Sequence, residues 1–415
     1  MKKTIMIGIT ALTAIAFTGI TPENASAVPS FARQTGKPCS GCHTIWPRLN
    51  ATGREFKITG YTDVADDYPR IQQDNLDLTR FGPPLSVSVI SFPYSKKTGT
   101  NVVDTDDTTA IPDEVAIFLA GRVSPNLGAF VEPHWTRDTD QMNVELAKFS
   151  SATRVGSNIL GLVVFKGDAA AADPYNTIRF SAFHTINTPA IFFDTGARGG
   201  GGDLFSFANT GNQGIVANGK FLNLVYAAVG AFRSDDSAKS PGSDPWDVSG
   251  RLAVEYPITG ESIASIGGFY YDGKQRYDHT TLVPAPGPAY ESKFNRYGVD
   301  LQYQLESAPH IVDFVATYMG GKDENVWDGA GSQFDVKFQG AYAEASYFYD
   351  RTYGLTVGYD YLKSDEDNSL DKKGPTVNLT YLPWLNTKIG LEYSHFELAN
   401  DAWEDDTNVL LHFYF

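Results

Sequence analysis

Apolar and polar residues alternate with a period of two along much of this chain. The stretch that follows Arg296 is the clearest example. One face would carry Tyr297, Val299, Leu301, Tyr303 and Leu305, and the opposite face Gly298, Asp300, Gln302 and Gln304. Residues 355–361 and 377–381 repeat the pattern. Such alternation is typical of a transmembrane β-strand, although the strands of a soluble β-sandwich alternate too.

Three features favour a membrane barrel over a soluble sandwich. Aromatic residues cluster at 269–273 and 346–350, where we expect strand ends and therefore interfacial girdles. Long polar loops alternate with short turns near residues 124–128, 306–309 and 351–354. The final strand ends on Phe415, which resembles the carboxyl-terminal assembly signal of outer-membrane proteins.

The sequence therefore predicts an all-β fold, a transmembrane antiparallel β-barrel of about 16 strands over residues 79–415, with about 14 or 18 as alternatives. Both chain ends are expected on the periplasmic side, which requires an even number of strands. Residues 168–211 are ambiguous, because their glycine run does not suit a strand interior. We expect one long outer loop that folds into the lumen. The alternative is two further strands, at 176–184 and 189–195.

The first 27 residues have the pattern of a signal peptide. Lys2 and Lys3 precede an apolar run at 5–20, and a small-residue cleavage signal follows at Ala25–Ala27. An uncleaved anchor helix is disfavoured because the run is short and interrupted. The motif that follows would then lie in an oxidising compartment.

Both cysteines of the chain belong to one Cys39-x-x-Cys42-His43 motif. This spacing predicts covalent haem: the two thiols form thioethers to the vinyl groups, and His43 binds the iron. A thioredoxin-like redox pair would need a βαβ context, and a disulfide would close a very small loop. Zinc would need two more ligands. We therefore expect one haem c per chain, covalently attached, with a redox pair or a disulfide as the alternative.

Residues 28–78 form the predicted cytochrome segment. It is too short to bury a haem and its own core, so we expect the barrel to supply walls and the segment to plug or line the lumen. The part of this segment up to Tyr61 is cationic, whereas the whole chain has a net charge of −16. Docking of this segment in an acidic barrel would be favourable, and a solvated charged surface is the alternative. The cationic residues are Arg33, Lys37, Arg48, Arg54 and Lys57.

The sixth ligand of the haem iron is left open by the sequence. No methionine lies between Ala27 and Gln141, and His43 is the only histidine before His134. The candidates are therefore residues of the barrel. They are His134, Met142 and His184, and the pattern around His134 predicts that its side chain points inward.

Residues 28–62 resemble the start of the fused cytochrome–porins in the outer membranes of iron-oxidising bacteria. The resemblance rests on the Phe31–Gly36 stretch, the Cys39–His43 motif, Trp46, Gly53–Lys57 and Gly60–Thr62. It implies oxidation of extracellular Fe(II), with the electron passed through the haem to a periplasmic carrier such as a soluble cytochrome. The chain would lie in outer-membrane lipid, and Cys39, Cys42 and His43 carry over as haem-binding residues.

Acidic clusters are expected in the outer loops, where they would attract cations. They are residues 104–107, 234–244, 364–367 and 403–406. Three other functions stay open: a porin with a structural or regulatory haem, a relay for a donor other than Fe(II), and a haem enzyme such as a peroxidase. The acidic composition, with a pI of about 4.8, argues against nucleic-acid binding.

Overall fold

A computed structural model describes most of the chain. The described residues are 29–65, 70–73, 76–79, 84–100, 108–168, 170–178, 190, 212–234, 246–277, 290–327, 333–365, 370–384 and 386–415. The predicted signal peptide, residues 1–27, and His184 lie outside them. No helix in the described part of the chain is long and apolar enough to cross a membrane.

Sixteen strands of the described residues close into one barrel in which every neighbouring pair is antiparallel. The predicted fold class is confirmed to this extent. The strands are β5 (Leu85–Gly99), β6 (Thr108–Ser124), β7 (Leu127–Thr136), β8 (Gln141–Val155), β9 (Asn158–Lys166), β10 (Asn212–Phe221), β11 (Val225–Ser234), β12 (Asp247–Pro257), β13 (Ser262–Tyr277), β14 (Tyr290–Ser307), β15 (His310–Trp327), β16 (Gln333–Tyr349), β17 (Tyr353–Ser364), β18 (Lys372–Tyr381), β19 (Thr387–Leu398) and β20 (Trp403–Tyr414).

The two faces of the barrel wall follow the predicted alternation. On β14, Tyr297 and Val299 are more than half exposed on the outer face, whereas Asp300 and Gln302 are buried on the inner face. The aromatic cluster at 346–350 ends β16, as expected. The cluster at 269–273 was wrongly expected at a strand end, because β13 continues to Tyr277.

The two ends of the barrel differ in their connections. At one end, seven connections between successive barrel strands span only two to five residues each. They include the predicted turns. We call this the short-turn end. At the other end, most connections are longer, such as 167–211, 235–246 and 278–289. We call this the long-loop end.

The amino-terminal segment, residues 29–65, forms its own short helices and strands, which are not part of the barrel sheet. It comprises α1 (Pro29–Thr35), a 3₁₀ turn at Cys39–Gly41, β1 (His43–Ile45), β2 (Arg48–Leu49) and α2 (Ala51–Ile58). β1 and β2 pair with each other. A small hairpin of β3 (Arg70–Gln73) and β4 (Leu76–Thr79) follows, and the first barrel strand begins at Leu85.

This segment contacts the inner face of the wall near the short-turn end. The Trp46 ring packs edge-on against Tyr414, with 4.5 Å between centroids. Arg351, in the turn before β17, donates to the carbonyl oxygen of His43 over 3.1 Å. A Cβ at Gly128 would overlap the carbonyl oxygen of Gly60. The segment therefore lies directly against the strands.

Buried ion pairs join the segment to the wall. Arg48 lies 3.2 Å from Asp313 and 3.1 Å from Glu344, and Arg54 lies 2.5 Å from Glu255. The two arginines are each 1% exposed. The alternative of a solvated charged surface is therefore wrong for Arg48 and Arg54.

Residues 170–178 turn into the barrel from the long-loop end. The carbonyl oxygen of Thr177 accepts from Thr317 on the inner face of β15 over 2.6 Å, and Asp173 lies 3.3 Å from Arg251 of β12. The predicted inward-folding loop is confirmed for this stretch. Of the alternative strands, residues 176–178 are not in a strand, and 179–189 and 191–195 lie outside the described residues.

Candidate functional site

The Cys39–His43 motif is a tight turn followed by a short strand. The amide of Gly41 donates to the carbonyl oxygen of Pro38 over 2.8 Å, and the amide of Cys42 donates to that of Cys39 over 3.1 Å. Both cysteines are half-buried and not joined in a disulfide. Burial raises the pKa of the Cys42 thiol.

The imidazole of His43 is oriented by a backbone carbonyl. Its Nδ1 lies 3.1 Å from the carbonyl oxygen of Pro47. Because a carbonyl only accepts, Nδ1 carries the proton and the lone pair of Nε2 is available to a metal. Burial lowers the pKa of His43 to about 4, so the ring is neutral at neutral pH. Neutral imidazole is the form that binds a metal.

Helix α2 supports the motif from behind. Asn50 caps the helix, since its side-chain oxygen accepts from the backbone amide of Gly53 over 3.0 Å. The backbone amide of Asn50 donates to the carbonyl oxygen of Cys42, also over 3.0 Å. A Cβ at Gly53 would overlap that same oxygen. Glycine is needed here because helix and motif approach closely. This contact gives a physical role to the Gly53–Lys57 stretch.

A cavity of about 270 Å³ lies beside the motif. Cys39, Cys42 and His43 all line it. Its walls are largely aromatic and apolar, and they come from both the segment and the barrel. These wall residues include Phe31, Trp46, Leu49, Phe56, Tyr61, Phe118, Phe130 and Leu146. Phe31 stacks on Tyr61 at 5.0 Å and meets Phe56 edge-on at 5.1 Å, which fixes the wall shape.

The residues around this cavity fit haem c. Two thiols at the required spacing and a neutral imidazole held through Nδ1 share one cavity. The aromatic walls suit a flat apolar ring. Lys37, Lys57 and Lys148 also line the cavity and offer cations to the two carboxylates that a haem carries.

The sixth-ligand candidates do not line this cavity as far as the structure describes them. His134 instead contacts Glu145, with 2.7 Å from Nδ1 to Oε2. Met142 is 54% exposed, and His184 lies outside the described residues. The sequence pattern placed Glu132 on the same face as His134 but assigned it no role, and the structure shows that it lines the cavity from β7. Its even spacing from Phe130 and His134 was the available signal.

Only some residues of the predicted acidic clusters belong to the described part of the chain. Residues 104–107, 235–244 and 366–367 lie outside the described residues. Residues 403–406 were wrongly expected in a loop, because β20 begins at Trp403. Two of these acids are paired: Glu404 lies 2.7 Å from Lys97, and Asp405 lies 2.6 Å from His395.

Comparison with known proteins supports the fold. No protein-family model matches the chain, and no curated protein matches it. Among solved structures, OmpF of Salmonella typhi in complex with daunomycin is similar, with a TM-score of 0.51 at 12% identity over 83% of this chain and 100% of that one. OmpT of Vibrio cholerae gives 0.50 at 10% identity over 83% and 100%. A loop L8 deletion mutant of OmpT gives 0.50 at 11% identity over 80% and 98%.

At these identities the likeness concerns the fold. The chain is an all-β protein with a closed, antiparallel, sixteen-stranded barrel in its described residues, like that of outer-membrane porins.

Proposed function

We propose that this chain is an outer-membrane electron-transfer protein that oxidises extracellular Fe(II) and delivers the electron to a periplasmic carrier. One haem c, attached to Cys39 and Cys42 and ligated by His43, is its cofactor. The observation that carries the proposal is the shared cavity: it brings both thiols and the imidazole together between the amino-terminal segment and the inner face of the wall.

The asymmetry of the barrel supports a direction for the electron. Short turns face the periplasm and long loops face outward in outer-membrane barrels. The Cys39–His43 motif lies near the short-turn end, since Arg351 of a short turn bonds the carbonyl oxygen of His43. A periplasmic carrier would therefore approach from that side, and Fe(II) would enter from the long-loop side. The Fe(III) product precipitates near neutral pH, so a cell gains by forming it outside the periplasm.

Each residue of the site has a specific task. Cys39 and Cys42 tether the cofactor, and the carbonyl oxygen of Pro47 orients the His43 ring through Nδ1. When bound, haem supplies one-electron chemistry. Lys57 and Lys148 line the cavity together with one carboxylate, that of Glu132, and Lys37 is paired with Asp63. The excess of positive charge at the cavity would favour the reduced state of a bound haem.

The contents of the lumen favour a relay over an open solute channel. The segment is fixed to the wall by Arg48 and Arg54, and residues 170–178 reach inward from the opposite end. Lys57 of the segment donates to the carbonyl oxygen of Asp173 over 2.5 Å, which joins the two insertions. A porin with a purely structural haem would need a continuous water path past these contacts.

Stopped-flow mixing tests the proposed donor. The purified, oxidised, haem-loaded protein is mixed with anaerobic Fe(II), and the appearance of the reduced haem bands is recorded. Dithionite serves as the control reductant. We expect fast reduction by both. Reduction by dithionite alone would eliminate Fe(II) as the donor and would favour another donor or the transport function.

A further inference from the structure

Three side chains from adjacent strands converge on the inner face of the barrel. They are Glu114 of β6, His134 of β7 and Glu145 of β8, and their ligand atoms all lie within 4.8 Å of one another. In the part of the chain that the structure describes, this is the one group of three such residues with that spacing. The residues are far apart in sequence, so the barrel register brings them together.

The group lies just beyond the thiol–imidazole cavity, toward the long-loop end. Phe118, Glu132 and Leu146 line the cavity from the same three strands. His134 follows Glu132 by two residues, which is about 7 Å along a strand, and Glu145 is the neighbour of Leu146. A ligand held by this group would therefore lie close to the cavity, on the side that faces the long-loop end.

The charges of this group are not compensated by protein cations. No lysine or arginine among the described residues forms an ion pair with Glu114 or Glu145. Elsewhere on the inner face, buried carboxylates have such partners: Glu255 pairs with Arg54 and Lys220, and Asp300 pairs with Arg251. Two neighbouring carboxylates without a cation repel each other, and a bound divalent cation removes that repulsion.

The imidazole adds an independent indication of a ligand. Nδ1 of His134 is buried and makes no hydrogen bond, although Oε2 of Glu145 lies 2.7 Å away. A buried ring nitrogen normally has a hydrogen-bond partner. Here the nitrogen and the carboxylate are close but misaligned for a mutual hydrogen bond, whereas both can donate lone pairs to one metal ion.

We propose that Glu114, His134 and Glu145 form the binding site for a divalent first-row metal ion, which in the function proposed above is the substrate Fe(II). Two carboxylates and one imidazole suit Fe(II), Mn(II) and Co(II), and the remaining coordination positions are left to water. The choice of Fe(II) as the physiological ion rests on the proposed function, whereas the site itself does not. His134 is thereby assigned to the metal ion and not to the haem iron.

Equilibrium dialysis with Co(II) tests the site without any redox reaction. Haem-loaded, oxidised protein is dialysed against Co(II) in a buffer with excess Mg²⁺ that occupies exposed carboxylates, and bound cobalt is counted per chain. We expect one tight Co(II) ion, and affinity about tenfold or more weaker in E114Q, E145Q and H134Q. The control E261Q removes an exposed carboxylate from a short turn and should bind as wild type does. Equal Co(II) binding by all four variants and wild type would overturn the proposal.

Stopped-flow reduction then separates the two proposals. If the site is right, the rate saturates with Fe(II) concentration in wild type and requires about tenfold more Fe(II) in E114Q and E145Q, while the dithionite rate is unchanged. Loss of Co(II) binding in the variants without any reduction of wild type by Fe(II) would keep the site and overturn the proposed function. Unchanged Fe(II) dependence together with unchanged Co(II) binding would overturn the site and keep the function.

Thermal unfolding distinguishes the metal site from a purely structural role of the three residues. If they form a metal site, E114Q removes a like-charge repulsion, so its unfolding midpoint without metal should equal or exceed that of wild type. Co(II) should raise the midpoint of wild type and not of E114Q. A lower midpoint of E114Q without metal, together with an equal gain on adding Co(II), would overturn the proposal.

Discussion

Nε of Arg54 lies 2.5 Å from Oε2 of Glu255, and both side chains are at most 4% exposed. The pair joins helix α2 of the amino-terminal segment to β12 of the barrel. Nζ of Lys220 lies 3.0 Å from the other oxygen of the same carboxylate. Arg54 also donates to Gln304 over 2.8 Å. This guanidinium is therefore a principal attachment of the segment to the wall.

Replacing Arg54 with leucine should loosen the segment. Breaking a buried ion pair by removing one partner costs about 3–5 kcal/mol when the other charge is left unpaired. Lys220 still pairs with Glu255 in the variant, so we expect the lower end of this range, about 3 kcal/mol. We expect amide hydrogen exchange in residues 51–58 to accelerate on the order of 100-fold, with the barrel strands unaffected. Mass spectrometry of the exchanged protein measures this.

Arg154→Leu is the matched control for the Arg54 variant. Arg154 also joins the segment to the wall, 2.6 Å from Glu55, but its side chain is 56% exposed. An exposed pair contributes less than about 1 kcal/mol, so exchange in α2 should change little. Equal exchange in the two variants would show that the buried pair does not hold the helix.

Gly128→Ala should displace the segment by steric overlap. The new Cβ would overlap the carbonyl oxygen of Gly60, and Gly60 is itself closely packed, because a Cβ added there would lie 2.6 Å from the carbonyl oxygen of Ser150. Overpacking of this kind costs about 1–3 kcal/mol. We expect higher single-channel conductance in planar bilayers than for wild type. Gly250→Ala has open space around its Cβ and should conduct as wild type does. Identical conductance of all three proteins would contradict this prediction.

Removal of the thiols tests the covalent attachment. Cys39→Ala and Cys42→Ala should each leave one thioether, and the double variant should leave none. Haem staining after denaturing electrophoresis measures the covalently retained cofactor. We expect weaker staining in each single variant and no staining in the double variant. Full staining of the double variant would show that the two thiols do not attach haem.

Replacing the sixth-ligand candidates should leave the haem absorption bands unchanged. Neither side chain lines the cavity: His134 lies beside Glu145, and Met142 is exposed. His134→Ala and Met142→Ala should therefore show wild-type spectra in both oxidation states. A shifted band in either variant would show that the replaced residue is a ligand of the haem iron. His43→Ala is the positive control, and its spectrum should change.

The alternation on β14 was predictable because one environment acts on each face. Tyr297 and Val299 face outward, and Asp300 and Gln302 face inward, so the period of two is visible in the sequence. The Cys39–His43 motif was predictable because its residues are contiguous. Both are local patterns that need no knowledge of which strands become neighbours.

The partners of His134 were not predictable in this way. Glu114 and Glu145 reach it only through strand register, and the pairing of β7 with β8 is irregular there: Glu132 pairs with Leu146, but Pro133 pairs with Val144. Such a bulge changes which side chains face inward. It explains why Glu145 points to His134, and why simple counting along β8 could not assign a face to Met142.

The half-buried position of Cys39 and Cys42 between the segment and a closed wall has a consequence for biogenesis. An attachment enzyme needs direct access to both thiols, and sixteen paired strands leave it no lateral entrance. If the thiols carry haem, an attachment enzyme reaches both of them most directly while the chain is still unfolded, before the strands close around the segment. In that order of events, the aromatic cavity closes around a group that is already in place.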